Sequence, residues 1–270
     1  MKQGIVECIS PRHVGRLLQE ADLKPHQLQY WLNLPPDPHF AAKVQDICEI
    51  YRSALERDLQ GERTISVDEM TGIQAKERLA PGLPMRPGKR ERQEFEYIRH
   101  GTQTLIASFD VARGQIIHAN VGERRTEADY VAHRQQLIAS DPQASKWHLV
   151  MDCLNTHQSE SLVRWIAQGE GLEQDLGEKG KSGILCSMKT RAQFLSNPAH
   201  KIVFHFTPKH SSWLNQIEIW FSILVRKLLR RESFTHKAML KQRILQFIDY
   251  FNQTMAKPFK WTYKGKALAV

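Results

Sequence analysis

The chain has 270 residues, of which 41% are hydrophobic and 25% are charged. This composition excludes an intrinsically disordered protein and a disulfide-stapled miniprotein, and the length suits one large domain or two modest ones. No run approaches the roughly 20 apolar residues that cross a bilayer, and Met1–Pro11 lacks the apolar core of a secretory signal. A soluble, intracellular protein is expected.

Lysine and arginine together number 38 against 29 aspartates and glutamates, which gives a formal net charge of +9. This excess favours a polyanionic partner, with nucleic acid first among the choices. The four cysteines lie far apart without zinc-site spacing, and we expect reduced, mostly buried thiols at Cys8, Cys48, Cys153 and Cys186.

Residues 1–34 predict a partial helix-turn-helix. Ser10 is a suitable cap for a helix that runs to Glu20, and Pro25 would open a second helix that runs to Asn33. An ordinary antiparallel helix pair remains an equal alternative. If the segment binds DNA, Gln27 and Gln29 would form hydrogen bonds to base edges. Lys24 and Arg12 would contact backbone phosphates.

The stretch Leu34–Pro38 breaks helices and marks a domain boundary. We expect residues 35–60 to form a linker and a helix from His39 to Leu59. The run Arg63–Asp68 alternates apolar and polar side chains, as a strand does. A loop rich in proline and glycine follows at Ala80–Gly88, and basic side chains cluster at its end, namely Arg86, Lys89, Arg90 and Arg92.

The rest of the chain alternates strands and helices, which indicates an α/β domain at 61–262 followed by a tail at 263–270. Two strand-like runs joined by a short turn predict a hairpin, Thr104–Val111 with Gln115–Val121. The segments that follow are a helix at Thr126–Ser140, a buried strand at Trp147–Asp152, a helix at Ser159–Gln168, a Gly-rich surface segment at Gly169–Gly183, a strand at Ile202–Phe206, and helices at Ser212–Arg231 and Thr235–Thr254.

Three acids occupy distinctive places in this order. Asp68 ends the first strand, Asp152 ends the buried strand, and Glu218 lies at the margin of the apolar face of the Ser212–Arg231 helix. Carboxylates so placed suit Mg²⁺ or Mn²⁺ better than zinc, and their chemistry would be two-metal phosphoryl transfer. Each also has an ordinary alternative: Asp68 or its neighbour Glu69 could cap a turn, Asp152 could cap a helix, and Glu218 could form an ion pair.

Three segments, Val67–Ala75, His148–Glu160 and Phe206–Arg231, are similar to the catalytic blocks of DDE-type transposases, in the bacterial insertion-sequence branch related to mariner elements. In the second block, Cys153 replaces the asparagine that usually follows the aspartate. The third block is the most specific, and its pattern is matched at Pro208, Ser211, Leu214, Asn215, Ile217 and Glu218.

The resemblance implies an RNase H-like mixed sheet flanked by helices, with Asp68, Asp152 and Glu218 as catalytic residues and metal ligands. It also implies two Mg²⁺ ions, with Mn²⁺ as a substitute, and cleavage and strand transfer at insertion-sequence ends. Supporting roles would belong to Asn155, His157 and Asn215. The implied partners are double-stranded DNA, both terminal repeats and target, and a second copy of the chain in a homodimer.

Two features leave other functions open. Asp152 and Glu218 are separated by 65 residues, more than is typical of the mariner branch, and the Gly-rich Gly169–Gly183 segment accounts for much of the excess. The alternatives are a catalytically inactive DNA-binding remnant and another RNase H-like nuclease. Lys209, beside the third block, is a further expected phosphate contact, and the expected location is the cytoplasm, in association with the nucleoid.

Overall fold

The computed structural model describes residues 8–28 and 37–263. The chain divides into two compact units, Met1–Asp37 and Pro38–Val270. The division falls within the Leu34–Pro38 stretch that the sequence marks as a boundary. Apart from Tyr263, the predicted tail lies outside the described residues.

The first unit contains helix α1 (Pro11–Glu20), and Ser10 caps it by accepting a hydrogen bond from the His13 amide at 3.2 Å. The predicted first helix is thus confirmed. The predicted second helix does not begin at Pro25, because the Gln27 amide bonds to the Lys24 carbonyl at 2.9 Å and closes a turn. Proline favours the second position of such a turn. Residues 29–33 lie outside the described residues, so the helix-turn-helix stays a prediction.

The second unit is built on a five-stranded sheet in the order β3-β2-β1-β4-β5. The strands β1 to β3 are antiparallel neighbours, whereas β4 is parallel to β1 and β5 is parallel to β4. This mixed sheet, with helices on both faces, confirms the RNase H-like α/β fold class. The strands are β1 (Glu62–Arg78), β2 (Tyr97–Asp110), β3 (Gln115–Gly122), β4 (Lys146–Met151) and β5 (Ile202–Phe206).

Two apolar cores lie on opposite faces of the sheet. One contains side chains of α2, α7 and α8, which pack on residues such as Phe109 and Val150. The other contains side chains of α4, α5 and α6 on residues such as Leu149 and Phe204. The helices of this unit are α2 (Phe40–Arg52), α3 (Ala54–Leu59), α4 (Glu127–Ala139), α5 (Glu160–Gly169), α6 (Met188–Leu195), α7 (Ile217–Leu224) and α8 (Lys237–Thr254).

The helix predicted from His39 to Leu59 is two helices, α2 and α3. They separate at Ser53, whose hydroxyl donates to the Glu49 carbonyl at 2.8 Å and competes with the helical backbone bonds. Val44 and Ile47 of α2 are buried in the core of the sheet unit, so the helical part of residues 35–60 packs with that unit. Helix α6 was not predicted.

The predicted continuous helix from Ser212 to Arg231 is three short elements. A 3₁₀ turn at Ser212–Leu214 precedes α7, and a π-helical turn at Val225–Leu229 follows it. Asn215 separates the first two because its backbone is extended and its side chain is bonded to β1. Glu218 is therefore in the first turn of α7.

The Gly-rich segment is confirmed as an irregular connection, since residues 170–183 contain no helix or strand. Gly177 permits its tight path: its φ is +82°, and a Cβ there would meet the Ser182 carbonyl oxygen at 2.2 Å. All four cysteines are free, although Cys8 and Cys186 are exposed, contrary to the expected burial. In the described part of the chain, no helix has the length and apolar character to cross a membrane.

A chain of polar side chains around the buried His148 ties α2 and α3 to the sheet. His148 lies at its centre, with Nε2 2.8 Å from Arg57 Nη1 and 3.1 Å from Glu62 Oε2. The other ring nitrogen of His148 lies 3.1 Å from His205, which in turn contacts Asp46 at 2.8 Å. Burial, reinforced by the neighbouring Arg57 and His205, lowers the pKa of His148 to about 4.

We predict that His148→Gln destabilises the protein most above pH 6.5. The folded chain keeps His148 neutral, whereas the unfolded chain protonates it, so the stability that this group contributes is lost as the pH falls from 6.5 towards 4. The free-energy difference between wild type and variant should shrink by about 2 kcal/mol from pH 7.5 to 4.5. Urea unfolding measures it, and the exposed His26→Gln is the control. A difference that is independent of pH would contradict the prediction.

Candidate active site

The parallel pairing of β1 with β4 brings the first two predicted acids together. Ser66 lies opposite Val150 in this register, so Asp68 and Asp152, each two residues further on, come level at the same end of the sheet. Candidate ligand atoms of Asp68, Asp152 and His157 all lie within 4.8 Å of one another.

Asp68 is buried, with 7% of its surface exposed. Its Oδ1 accepts a hydrogen bond from the Glu69 amide at 2.8 Å, and its Oδ2 accepts one from Asn215 Nδ2 at 3.1 Å. Burial, followed by the negative charge of Asp152, raises the pKa of Asp68 to about 7. The carboxylate is therefore fixed in place but costly to ionise without a cation nearby.

Asn215, predicted as a supporting residue, connects the start of α7 to β1. Its Nδ2 also donates to the Val67 carbonyl at 3.0 Å, and its Oδ1 accepts from the Ser66 hydroxyl. Ser66 Oγ in turn accepts from the Ile217 amide at 2.9 Å. These bonds satisfy the buried polar groups and set the position at which α7 begins.

Asp152 follows β4 directly and is held by the turn after it. Its Oδ1 accepts from the Leu154 amide at 3.0 Å and lies 2.6 Å from His157 Nδ1. Burial would raise the pKa of Asp152, but the contact with His157 outweighs it and lowers the pKa. Asn155, on the same 3₁₀ turn (Asn155–Gln158), is exposed.

His157 is fully buried and bridges two carboxylates. Its Nε2 lies 3.0 Å from Glu69 Oε2, opposite the contact with Asp152. Burial alone would lower the pKa of His157, but the bonds to Asp152 and Glu69 raise it to about 9. The ring is thus an imidazolium at neutral pH.

Sequence reasoning considered Glu69 only as a turn cap, yet its side chain is 4% exposed and pairs with Arg125 at 2.7 Å. The available signal was two successive acids at the end of a buried strand, since one of them must face each side of the sheet. Tyr130 of α4 was also missed. Its ring stacks on His157 with centroids 4.4 Å apart, and the buried Arg134 lies 3.9 Å over the same ring.

Glu218 is half-buried in the first turn of α7. Burial, and then the charge of Asp152, raise the pKa of Glu218, so the two carboxylates are within electrostatic reach of each other. Glu218 lies outside the 4.8 Å group formed by Asp68, Asp152 and His157. The structure thus brings two of the predicted acids within 4.8 Å of each other and leaves the third within electrostatic reach of Asp152.

The predicted DNA contacts are exposed wherever the structure describes them. The β1–β2 loop is ordered by backbone bonds between Leu83 and Arg92 and between Arg86 and Lys89. Its exposed bases are Arg86, Lys89, Arg90 and Arg92, and Lys209 is exposed after β5. In the first unit the exposed residues are Arg12, Lys24 and Gln27, whereas Gln29 lies outside the described residues.

A family model described as DDE superfamily endonuclease matches residues 63–241. No curated protein sequence matches the chain. Among solved structures, the Mos1 mariner paired-end complex with Mn is 15% identical, with a TM-score of 0.46 and coverage of 89% of this chain and 64% of that chain. The Mos1 strand transfer complex is 15% identical, with a TM-score of 0.48 and coverage of 89% and 63%.

The catalytic domain of Mos1 mariner transposase is 12% identical, with a TM-score of 0.45 and coverage of 81% of this chain and 85% of that chain. The chain spans less than two thirds of the length of the Mos1 chains in the two complexes.

We predict that the substitution Asp68→Asn stabilises the metal-free protein more at pH 8 than at pH 5. The raised pKa means that the folded wild type carries an unfavourable charge above about pH 7 and binds a proton below it, so wild-type stability rises as the pH falls through that range. The gain of the variant over wild type should be larger at pH 8 by about 1 to 3 kcal/mol. Urea unfolding at both pH values measures it, with the exposed Glu173→Gln as control. Equal effects at both pH values would contradict the burial argument.

Proposed function

Because the chain belongs to the DDE superfamily endonucleases, we propose that it is a transposase that cuts DNA at insertion-sequence ends and joins them to target DNA. The observation that carries this proposal is the side-by-side placement of Asp68 and Asp152 at one end of two parallel strands. Buried, closely spaced carboxylates have little use in a basic protein that only binds DNA.

The chemistry of the donor set fits Mg²⁺, with Mn²⁺ as a substitute. Asp68, Asp152 and Glu218 offer carboxylate oxygens. Burial, and then repulsion from Asp152, raise the pKa values of Asp68 and Glu218, and a bound cation would stabilise the charged forms that both effects disfavour. These three residues would hold two ions. When bound, such ions activate the attacking oxygen and stabilise the leaving oxygen of a phosphoryl transfer.

The residues around the acids would keep their oxygens in fixed positions during both steps. In cleavage, a water oxygen bonds to phosphorus while the bond from phosphorus to the 3′ oxygen breaks, which frees a 3′-hydroxyl. In strand transfer, that hydroxyl attacks a target phosphorus and the target's own 3′ oxygen leaves. The Glu69 amide and Asn215 would orient Asp68, and His157 would orient Asp152. Neither step requires a covalent protein intermediate.

The proposed partner is double-stranded DNA, both the terminal repeats and the target. The exposed bases of the β1–β2 loop and Lys209 would contact phosphates, and the first unit would contribute Arg12, Lys24, Gln27 and Gln29. Since two element ends must be joined to one target, the proposed active form is a homodimer. A protein that cleaves and joins DNA in this way would be associated with the nucleoid.

An endonuclease without strand transfer is the second candidate, because the matching family is described by its endonuclease activity alone. The acidic cluster serves both reactions equally. An assay that follows joined as well as cleaved products separates them.

We predict that Asp68→Asn, Asp152→Asn and Glu218→Gln each reduce cleavage by more than about 100-fold, since changes outside the first ligand sphere already approach that loss. DNA binding should stay within about twofold of wild type, because the charge removed is negative. The assay uses a labelled terminal-repeat duplex with Mg²⁺, with Glu173→Gln as control. Full cleavage by any one variant would remove that residue from the proposed ligand set.

We also predict that DNA affinity falls steeply with salt and that the β1–β2 loop accounts for much of the dependence. Replacing its four bases with glutamine should lower the slope of log affinity against log salt by about 2 to 4, since each phosphate contact contributes about 0.9. The matched control removes four exposed lysines elsewhere, Lys179, Lys181, Lys189 and Lys241. Equal slopes for the two variants would argue against contact through the loop.

A further inference from the structure

We propose that Glu69 is a positioning residue that acts through His157 to hold Asp152 ready for a divalent cation. The inference rests on the proposed function, because it assumes that Asp152 is a metal ligand. It assigns a role to a residue that forms no part of the Asp68, Asp152 and Glu218 set.

The strand itself separates the roles of Asp68 and Glu69. Consecutive side chains on β1 point to opposite faces of the sheet. Asp68 points towards the start of α7, where Asn215 contacts it, whereas Glu69 points towards Arg125 and His157 on the other side. The hydrogen bonds of His157 therefore connect Glu69 to Asp152 through the imidazole ring.

His157 is placed to position Asp152 and not to bind a cation itself. Its two ring nitrogens face carboxylate oxygens, Nδ1 at 2.6 Å from Asp152 and Nε2 at 3.0 Å from Glu69. A ring that donates from both nitrogens has no lone pair left for a metal. The side chain is also fully buried, so it has no free edge towards solvent.

The environment of the pair fixes the ring and its anchor. Glu69 uses both oxygens, Oε1 for Arg125 at 2.7 Å and Oε2 for His157. Tyr130 covers one face of the imidazole with an angle of 22° between the ring planes. A ring held in its plane and at both nitrogens has a single orientation. The hydrogen bond from this ring therefore also fixes the orientation of the Asp152 carboxylate.

The arrangement also determines which oxygen of Asp152 is available. Oδ1 accepts from the Leu154 amide and from His157, and within residues 8–28 and 37–263 no donor lies against Oδ2. Oδ2 would thus face the cation. Without Glu69, His157 would lose the partner of its Nε2, and the ring that holds Oδ1 of Asp152 would be free to turn.

The test is the affinity of the metal-free full chain for Mn²⁺, measured as free Mn²⁺ by electron paramagnetic resonance. Glu69→Ala should weaken binding by about 10- to 100-fold, the usual effect of removing a partner of a ligand, and Glu69→Gln should weaken it less because the amide oxygen still accepts from His157. The matched control is Glu77→Ala, which removes a similar glutamate on β1 that contacts His100 at 2.6 Å. Its affinity should equal that of wild type.

A double-mutant cycle with His157→Gln tests whether Glu69 acts through the histidine. In that background, Glu69→Ala should change the Mn²⁺ affinity by less than about threefold, because coupled residues are not additive. Additive losses would show that Glu69 binds the cation directly and would overturn the inference. Unfolding midpoints check each variant, and Glu69→Gln carries the test if Glu69→Ala does not fold.

Asp152→Asn separates failure of this inference from failure of the proposed function. If Asp152→Asn abolishes Mn²⁺ binding while Glu69→Ala stays within twofold of wild type, the positioning role is wrong and the metal site stands. If Asp152→Asn leaves Mn²⁺ binding unchanged, the metal site itself is refuted, and the role of Glu69 with it.

Discussion

The site depends on the parallel register between β1 and β4. Because Ser66 pairs with Val150, the two strands deliver Asp68 and Asp152 to the same level, although these acids are far apart in the chain. A shift of one residue would turn one carboxylate to the opposite face and separate the pair. The two apolar cores oppose such a shift, since it would turn Ile65 and Val67 out of the core that they occupy and bury polar side chains such as Ser66 in their place. The packing that stabilises the sheet is thus also what brings the acids together.

Carboxylates that lie close together repel one another, and the structure compensates the charges of Asp68, Glu69 and Asp152 unequally. Glu69 and Asp152 are compensated by Arg125 and His157, so the pKa of each is lowered. Asp68 accepts hydrogen bonds from the Glu69 amide and from Asn215, but burial and the charge of Asp152 outweigh the nearby His157, and the pKa of Asp68 is raised. The free-energy cost of ionisation therefore falls on Asp68 and on Glu218, whose pKa is also raised. Such local instability is characteristic of functional sites, where affinity for a charged ligand is gained at the expense of stability.

The sequence predicted those parts of the fold and site that follow from local pattern. Alternation identified the first strand, two strand-like runs joined by a short turn identified the hairpin, and a buried run ending in an acid identified β4 and Asp152. Glu69 could not be assigned from the sequence, because its role depends on the His157 side chain, which reaches it only through the turn after β4. The predicted start of the helix that contains α7 was wrong for the same reason. The apolar residues keep their helical spacing on both sides of Asn215, so the sequence predicts a continuous helix. The bonds of the Asn215 side chain to Val67 and Asp68 on β1 show why the helix is interrupted there.

Asn215 shows how one polar residue can connect fold and chemistry. The bonds that interrupt the helical pattern there also orient Asp68, and they fix where α7 begins. Because Glu218 is in the first turn of α7, its distance from the sheet is set by the same bonds. A continuous helix from Ser212 would satisfy the local apolar pattern, but it would release Asn215 from β1 and remove the acceptor of the buried Ser66 hydroxyl. The break in the helix is therefore the conformation in which Asn215 and Ser66 are paired and Glu218 begins α7 within electrostatic reach of Asp152.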